Sequence, residues 1–145
     1  MASEMIIKYR EKAEIIHGEE LCKKRSTELL EEMMLPNNLL PVEEMEEVGV
    51  NKEDGFFWLK LKKAQKYKFP KVGDTLYATE IAGFIEPRRL KNLKGVTAKE
   101  LMLTFTITEI YIDDPSSGKI NFKTASGFSR KHPISCFELP KSDKK

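Results

Sequence analysis

One stretch of the chain concentrates the side chains that can do chemistry. Residues 113–133, DDPSSGKINFKTASGFSRKHP, contain two aspartates, four serines, a Ser-Gly-Lys sequence and a histidine. A phosphate-binding P-loop requires a glycine five residues before the glycine of its Gly-Lys pair, and a serine or threonine directly after that pair. Asp113 and Ile120 occupy those two positions. The stretch is therefore not a P-loop, and Pro115 and Gly118 predict a polar turn between strands.

A Ser-His-Asp hydrolase is the second chemistry that this region suggests. His132 would be the base, Ser129 or Ser135 the nucleophile, and Asp113 or Asp114 the group that orients the imidazole. The chain has no G-x-S-x-G sequence, which is the usual context of such a serine. On a strand, Ser129 and His132 would also point to opposite faces. We therefore predict no catalytic residue, interpret His132 as a half-exposed strand residue, and keep a small esterase-like hydrolase as an alternative.

Metal ligands are few and poorly spaced. His132 and Cys136 would lie roughly 13 Å apart on an extended strand, too far to share an ion. His17 and Cys22 offer only two ligands on either side of Gly18. We predict no metal and no cofactor, and we interpret both cysteines as free structural thiols of a reducing compartment.

The composition indicates one soluble globular domain over residues 1–145. Hydrophobic residues make up 40% of the chain and charged residues 33%, a balance typical of folded soluble proteins. No apolar run is long enough for a transmembrane helix. The opening sequence MASEMIIKYREKAE places charges beside every apolar cluster, which argues against a secretory signal. We expect an intracellular protein, in the cytosol or on the cytosolic face of endomembranes.

The first 35 residues show the spacing of helices. Apolar residues three and four positions apart predict a helix over residues 3–17, and Gly18 interrupts the pattern. A second helix is predicted over 19–35, because Pro36 and two asparagines follow it. These residues form a helical N-terminal part at 1–35.

Residues 42–138 change to the alternating pattern of strands. Candidate strands lie at 43–50, 55–63, 74–86, 99–112, 119–124 and 128–138. We predict a mainly β, α+β fold in which the N-terminal helical segments precede an antiparallel β-barrel-like domain of about six or seven strands. A closed or partly closed barrel would shelter the strand edges. Residues 139–145 are predicted to be a flexible tail.

Charge is unevenly distributed along the chain. Residues 1–55 carry 14 acidic and 7 basic side chains, whereas residues 56–145 carry 9 acidic and 18 basic ones. Clustered Lys and Arg can bind anionic lipid head groups. Nucleic acid fits less well, because the aromatic residues alternate like core residues and do not form an exposed stacking row. The candidate binding residues are Lys60, Lys62, Lys63, Arg88, Arg89, Lys91, Lys94 and Lys99. Four of them, at positions 88, 89, 91 and 94, are predicted to lie in a turn.

Three long sequence motifs resemble a plant family catalogued as domain of unknown function 538. They are LLPVEEMEEVGVNKEDGFFWLKLKK, EPRRLKNLKGVTAKELM and TEIYIDDPSSGKINFKTASGFSRKHPISCFE, and the resemblance covers about residues 19–140. The opening IIKYREKAEIIHGEELCKKRSTELL is similar to that of signal-less members related to the smaller-with-variable-branches proteins of trichome development. The resemblance implies a barrel-like fold, a plant source and a link to growth, epidermal cell shape or stress responses. The family has been likened to lipid-binding proteins of the bactericidal permeability-increasing type, and it supplies no catalytic residues to carry over.

Together these patterns favour a non-enzymatic module that binds lipid or anionic membrane surfaces. A small apolar ligand between the helices and the sheet is a further expectation. The alternatives are the esterase-like hydrolase and a protein-protein adaptor that uses the acidic segment at residues 43–47.

Overall fold

Nine antiparallel strands and two α-helices form the part of the chain that the computed structural model describes, residues 2–69, 71–100 and 102–138. The helices are α1 (Ala2–Tyr9) and α2 (Glu19–Glu32). The strands are β1 (Glu14–His17), β2 (Met45–Asn51), β3 (Phe56–Leu61), β4 (Gln65–Phe69), β5 (Gly73–Glu86), β6 (Arg89–Glu100), β7 (Leu103–Tyr111), β8 (Lys119–Thr124) and β9 (Ser129–Pro133). The predicted flexible tail at 139–145 lies outside the described residues.

The strands form one sheet in the order β1-β2-β3-β5-β6-β7-β8-β9, with β4 also paired to β5. Strands β3 and β4 lie end to end along β5, because residues 56–60 pair with 80–84 and residues 65–69 pair with 73–77. The predicted mainly β, α+β fold is confirmed, with nine strands in place of six or seven.

The sheet is not a closed barrel, so the expectation of closure is wrong. Its hydrogen-bonded path ends at β1 and at β9 within the described residues. Side-chain packing takes the place of a closing ladder: the rings of Phe69 in β4 and Phe137, which follows β9, lie 4.7 Å apart. A backbone hydrogen bond from the Asn38 N–H to the Phe137 carbonyl, 2.9 Å long, adds to this contact.

The two faces of the sheet carry separate apolar cores. Phe57, Leu59 and Leu61 of β3 belong to the larger core on one face, here called the inner face, which also receives α2. Phe56 and Trp58 of the same strand belong to a smaller core on the outer face. Helix α1 covers this outer core with Ile6, Met5 and Tyr9. Alternating residues of β3 are thus buried on both faces, and every residue of the strand except the half-buried Lys60 is buried.

The predicted first helix is too long. Helix α1 ends at Tyr9, and residues 14–17 form β1, which pairs with β2 from Glu14 opposite Val50 to His17 opposite Glu47. Pairing with β2 outweighs the local helical spacing, because it satisfies the backbone of this segment in a sheet. The second helix begins after Gly18 as predicted and ends three residues early at Glu32.

The basic segment that was predicted to be a turn is mostly strand β6. Only Pro87 and Arg88 form the turn between β5 and β6. Strand β6 contains two irregular positions, Asn92 with a φ of 48° and Gly95 with a φ of 91°. At Gly95 the chains approach closely, since an added Cβ would lie 2.3 Å from the Glu80 carbonyl oxygen. The strand therefore bends at this point, together with β5.

The polar turn predicted from Pro115 and Gly118 is confirmed. The Asp114 carboxylate accepts hydrogen bonds from the backbone N–H of Ser116, at 3.1 Å, and from its hydroxyl, at 2.8 Å. Gly118 ends the turn with a φ of 72°. These polar residues reverse the chain between β7 and β8.

Candidate functional site

Three of the candidate hydrolase residues, Ser129, His132 and Asp114, are not brought together. His132 lies on β9 with its ring 5.6 Å from that of Phe122 and 6.2 Å from that of Phe137, and its burial lowers its pKa. Ser129 lies opposite Lys123 on the outer face of the sheet, whereas His132 lies opposite Ile120 of the inner core. The two side chains therefore point to opposite faces. The Asp114 carboxylate caps its own turn. The arrangement around His132 is therefore an aromatic contact.

The described residues contain neither a metal-binding cluster nor a membrane-spanning helix. No group of three or more His, Cys, Asp or Glu side chains there lies close enough to hold a metal ion. No helix there is both long and apolar enough to cross a membrane. Cys22 and Cys136 are free thiols, and the buried Cys22 thiol donates to the Ile16 carbonyl at 3.3 Å.

A small cavity lies on the inner face near the ends of β6, β7 and β9. Its volume is about 40 Å³, and its lining includes Phe105, Phe122, Phe128, Thr75 and His132. A water molecule needs about 10–15 Å³ of such volume, whereas pockets for drug-sized ligands measure about 300–1,000 Å³. This cavity has room for a few water molecules and is too small for an acyl chain.

Basic side chains gather on the outer face of β6, β8 and β9. Strand register places them there: Lys94 lies opposite Ala82 of the outer core, and Arg89, Tyr111, Asn121 and Lys131 form one row across four strands. The carboxylates on the same face of β5–β9 are those of Asp74, Glu80, Glu86 and Glu109. This surface, here called the basic face, consists of Arg89, Lys91, Lys94, Lys99, Lys119, Lys123 and Lys131.

Part of the basic face is already paired. Lys91 Nζ lies 2.8 Å from Glu86 Oε1. Arg89 forms an ion pair with Glu109, and its guanidinium stacks 4.5 Å from the Tyr111 ring centre. In contrast, Lys94, Lys99, Lys119, Lys123 and Lys131 are exposed and form no ion pair with another described residue. These five lysines are the cations that remain available to a ligand.

The other predicted basic residues lie elsewhere. Lys62 and Lys63 occupy the bend between β3 and β4, where Lys63 Nζ is 3.9 Å from Glu44. Lys60 lies opposite Glu80 on β5. Arg88 lies in the turn before β6 and Lys99 lies near the far end of that strand, at most roughly 36 Å away at the usual rise per residue. The eight predicted residues are therefore spread along the sheet, and Arg89, Lys91, Lys94 and Lys99 are those on the basic face.

An ionic network around one buried carboxylate, which the sequence reasoning missed, joins α1 to the sheet. Glu47 is 7% exposed. Its carboxylate accepts hydrogen bonds from Trp58 Nε1 at 2.8 Å and from the Arg10 guanidinium at 2.8 and 3.2 Å, and it lies 3.0 Å from His17 Nε2. The Arg10 hydrogen bond, followed by those of Trp58 and His17, lowers the pKa of Glu47 to about 2 despite its burial. The carboxylate is therefore ionised and holds the residue that follows α1.

The acidic segment at 43–47 is likewise engaged within the molecule. Lys23 Nζ lies 2.8 Å from Glu43, and Lys63 pairs with Glu44. Glu47 is at the centre of the ionic network with Arg10, His17 and Trp58. Three of the four carboxylates that suggested an adaptor thus have internal partners.

The molecule is a mainly β, α+β protein whose candidate site is a surface of the sheet. Its sequence matches the family model described as "Protein of unknown function, DUF538" over residues 26–138. The chain belongs to this family, as the sequence motifs predicted. The matched region begins within α2, so α1 and β1 precede it. Comparison with curated proteins and with solved structures finds no match.

Proposed function

We propose that the protein is a non-enzymatic module that binds anionic lipid surfaces through its basic face. The observation that supports this proposal is the concentration of seven Lys and Arg side chains, with four carboxylates, on one face of β5–β9. Each basic residue near an anionic membrane contributes about 1 kcal/mol of attraction. Several together suffice for reversible binding that salt weakens.

The small inner cavity favours binding at the membrane surface over carriage of an enclosed lipid. A volume of about 40 Å³ does not accommodate an acyl chain. In this proposal the lipid therefore stays in the bilayer, and the exposed lysines contact its head groups. The proposal also includes a location in the cytosol or on the cytosolic face of endomembranes, and a role in growth, epidermal cell shape or stress responses.

Sedimentation with lipid vesicles tests the proposal. The protein should sediment with vesicles that contain phosphatidylserine at low salt, should be released at high salt, and should remain in solution with pure phosphatidylcholine. The variant Lys94→Ala/Lys123→Ala/Lys131→Ala should bind at least tenfold more weakly, because it removes unpaired cations from the basic face.

The matched control is Lys8→Ala/Lys24→Ala/Lys52→Ala. It removes the same number of charges from exposed positions outside the basic face. Circular dichroism should show that both variants fold. Equal retention on neutral vesicles, or equal loss of binding in the two variants, would contradict a role for the basic face. Fractionation of source tissue tests the location, since a surface-bound protein should leave the membrane pellet at high salt.

A further inference from the structure

Three hairpin turns meet at one end of the sheet. Antiparallel pairing brings together the ends of β4 and β5, of β6 and β7, and of β8 and β9. The rings of Phe105 on β7 and Phe128 before β9 lie 5.5 Å apart, which links the second turn to the third. The described residues of this region, here called the turn edge, are Lys71, Val72, Met102, Leu103 and 125–128.

The turn edge exposes large apolar side chains. Met102 is 92% exposed, Leu103 is 60% exposed and Phe128 is 45% exposed. They are three of the six exposed large hydrophobic residues in the described chain, and they gather at one end of the molecule. Grouped apolar side chains of this kind mark surfaces that bind a partner or a membrane.

Cations surround these apolar side chains. Lys99 and Lys123, which belong to the basic face, lie where β6 and β8 reach the turns. Arg130 places its guanidinium 5.6 Å from the Phe128 ring centre and pairs with Glu100 at 2.6 Å. Including Lys71, four basic side chains accompany the carboxylates of Asp74, Glu100 and Glu109, the last of which lies opposite Lys123. Exposed apolar side chains surrounded by a net positive charge are suited to a membrane interface, where anionic head groups lie directly above hydrocarbon.

On the basis of the proposed function, we infer that the turn edge is the part of the protein that enters the membrane. Met102, Leu103 and Phe128 insert into the boundary between head groups and acyl chains. Lys99 and Lys123 contact lipid phosphates beside them. In this orientation the basic face adjoins the bilayer surface, because Lys99 and Lys123 lie both on the basic face and beside the turn edge.

Tryptophan fluorescence tests the insertion directly. The one natural tryptophan, Trp58, is fully buried and supplies a constant background. With phosphatidylserine vesicles, the emission of Phe128→Trp should shift to the blue and should be quenched by lipids with brominated acyl chains. The control is Leu21→Trp on α2, where the natural side chain is 61% exposed. Its emission should change in neither respect.

Charged substitutions provide an independent test. Met102→Asp/Leu103→Asp should weaken partitioning onto the same vesicles at least tenfold, because aspartate opposes insertion and is repelled by anionic lipid. The control Ile7→Asp/Leu21→Asp adds the same charge at positions that are 75% and 61% exposed. Circular dichroism should show that α1 and α2 are still formed in this variant, which should then partition like the natural protein.

The outcomes separate this inference from the proposed function. If the natural protein binds anionic vesicles and salt releases it, but both tryptophan probes remain in water and both aspartate variants bind alike, the turn edge does not insert and surface binding by charge stands. If the natural protein fails to bind anionic vesicles, the proposed function and the insertion are both wrong.

Discussion

The indole of Trp58 lies against the backbone of Gly49, so closely that a Cβ atom on Gly49 would lie 2.2 Å from the indole Cζ2. The two residues are opposite each other on β2 and β3, and Ala82 lies on the other side of Trp58. Small residues on both neighbouring strands make room for the ring on the outer face. The indole N–H can then donate to the buried carboxylate of Glu47 at 2.8 Å.

Gly49→Ala should destabilise the protein. The added methyl group overlaps the ring, so we expect a loss of about 1–3 kcal/mol in the free energy of unfolding, measured with urea. The cost should be smaller in a Trp58→Phe background, because phenylalanine lacks the overlapping atoms. An equal cost in both backgrounds would show that the indole does not determine the residue at position 49.

Glu47→Gln should alter the acid stability of the protein. The folded-state pKa of Glu47, about 2, lies below its ordinary value of 4.5. Its ionised form therefore stabilises the fold above pH 4.5, and this contribution is lost as the pH falls towards 2. Because Arg10 is partly exposed to screening solvent, we expect about 1–3 kcal/mol at neutral pH. The difference between the two proteins should vanish near pH 2, and a difference independent of pH would contradict this assignment.

Neighbouring isoleucines on α1 should respond very differently to truncation. Ile6 is 2% exposed and packs on the outer core, whereas Ile7 is 75% exposed. Ile6→Ala should lower the free energy of unfolding by about 2–4 kcal/mol, and Ile7→Ala should change it by less than about 0.5 kcal/mol. Thermal unfolding of both variants checks this. Similar midpoints would mean that α1 is not docked in solution.

His132 should titrate below the ordinary histidine pKa of 6.5. Burial lowers its pKa, Glu100 opposes this effect, and Arg130 and Lys119 add to it. The neutral ring therefore stabilises the fold above pH 6.5, and this contribution is lost as the pH falls through the lowered pKa. Titration of the ring protons by nuclear magnetic resonance, assigned with His17→Gln, measures the value. A pKa at or above 6.5 would contradict the packing of this ring.

The fold class could be predicted because most strands show a regular alternation of apolar and polar residues. Strand β6 does not show this alternation. Its inner-face residues Leu90, Leu93 and Val96 are three apart, although a regular strand requires a spacing of two. The irregular positions Asn92 and Gly95 absorb the extra residues. A bent strand of this kind looks like a polar turn in the sequence, so Arg89, Lys91 and Lys94 were predicted in the wrong element, and only Arg88 lies in the turn.

The Glu47 network could not be predicted from local pattern. Glu47 stands in the acidic sequence EEMEE, where a solvated carboxylate is the usual interpretation. Its partners Arg10, His17 and Trp58 lie 37, 30 and 11 residues away. Only the tertiary fold reveals that a charge from this segment is buried and needs three donors. The basic residues were easier to identify, but which of them share a face depends on the strand register.

The meander from β3 to β9 has a consequence for the order in which the chain folds. Each of these strands pairs with one close to it in sequence, so their contacts form by closing short loops. The contact between Arg10 and Glu47 spans 37 residues and requires β2 and β3 to be in place. We therefore expect α1 to dock late and to detach first, exposing its amides to hydrogen exchange while the sheet remains intact.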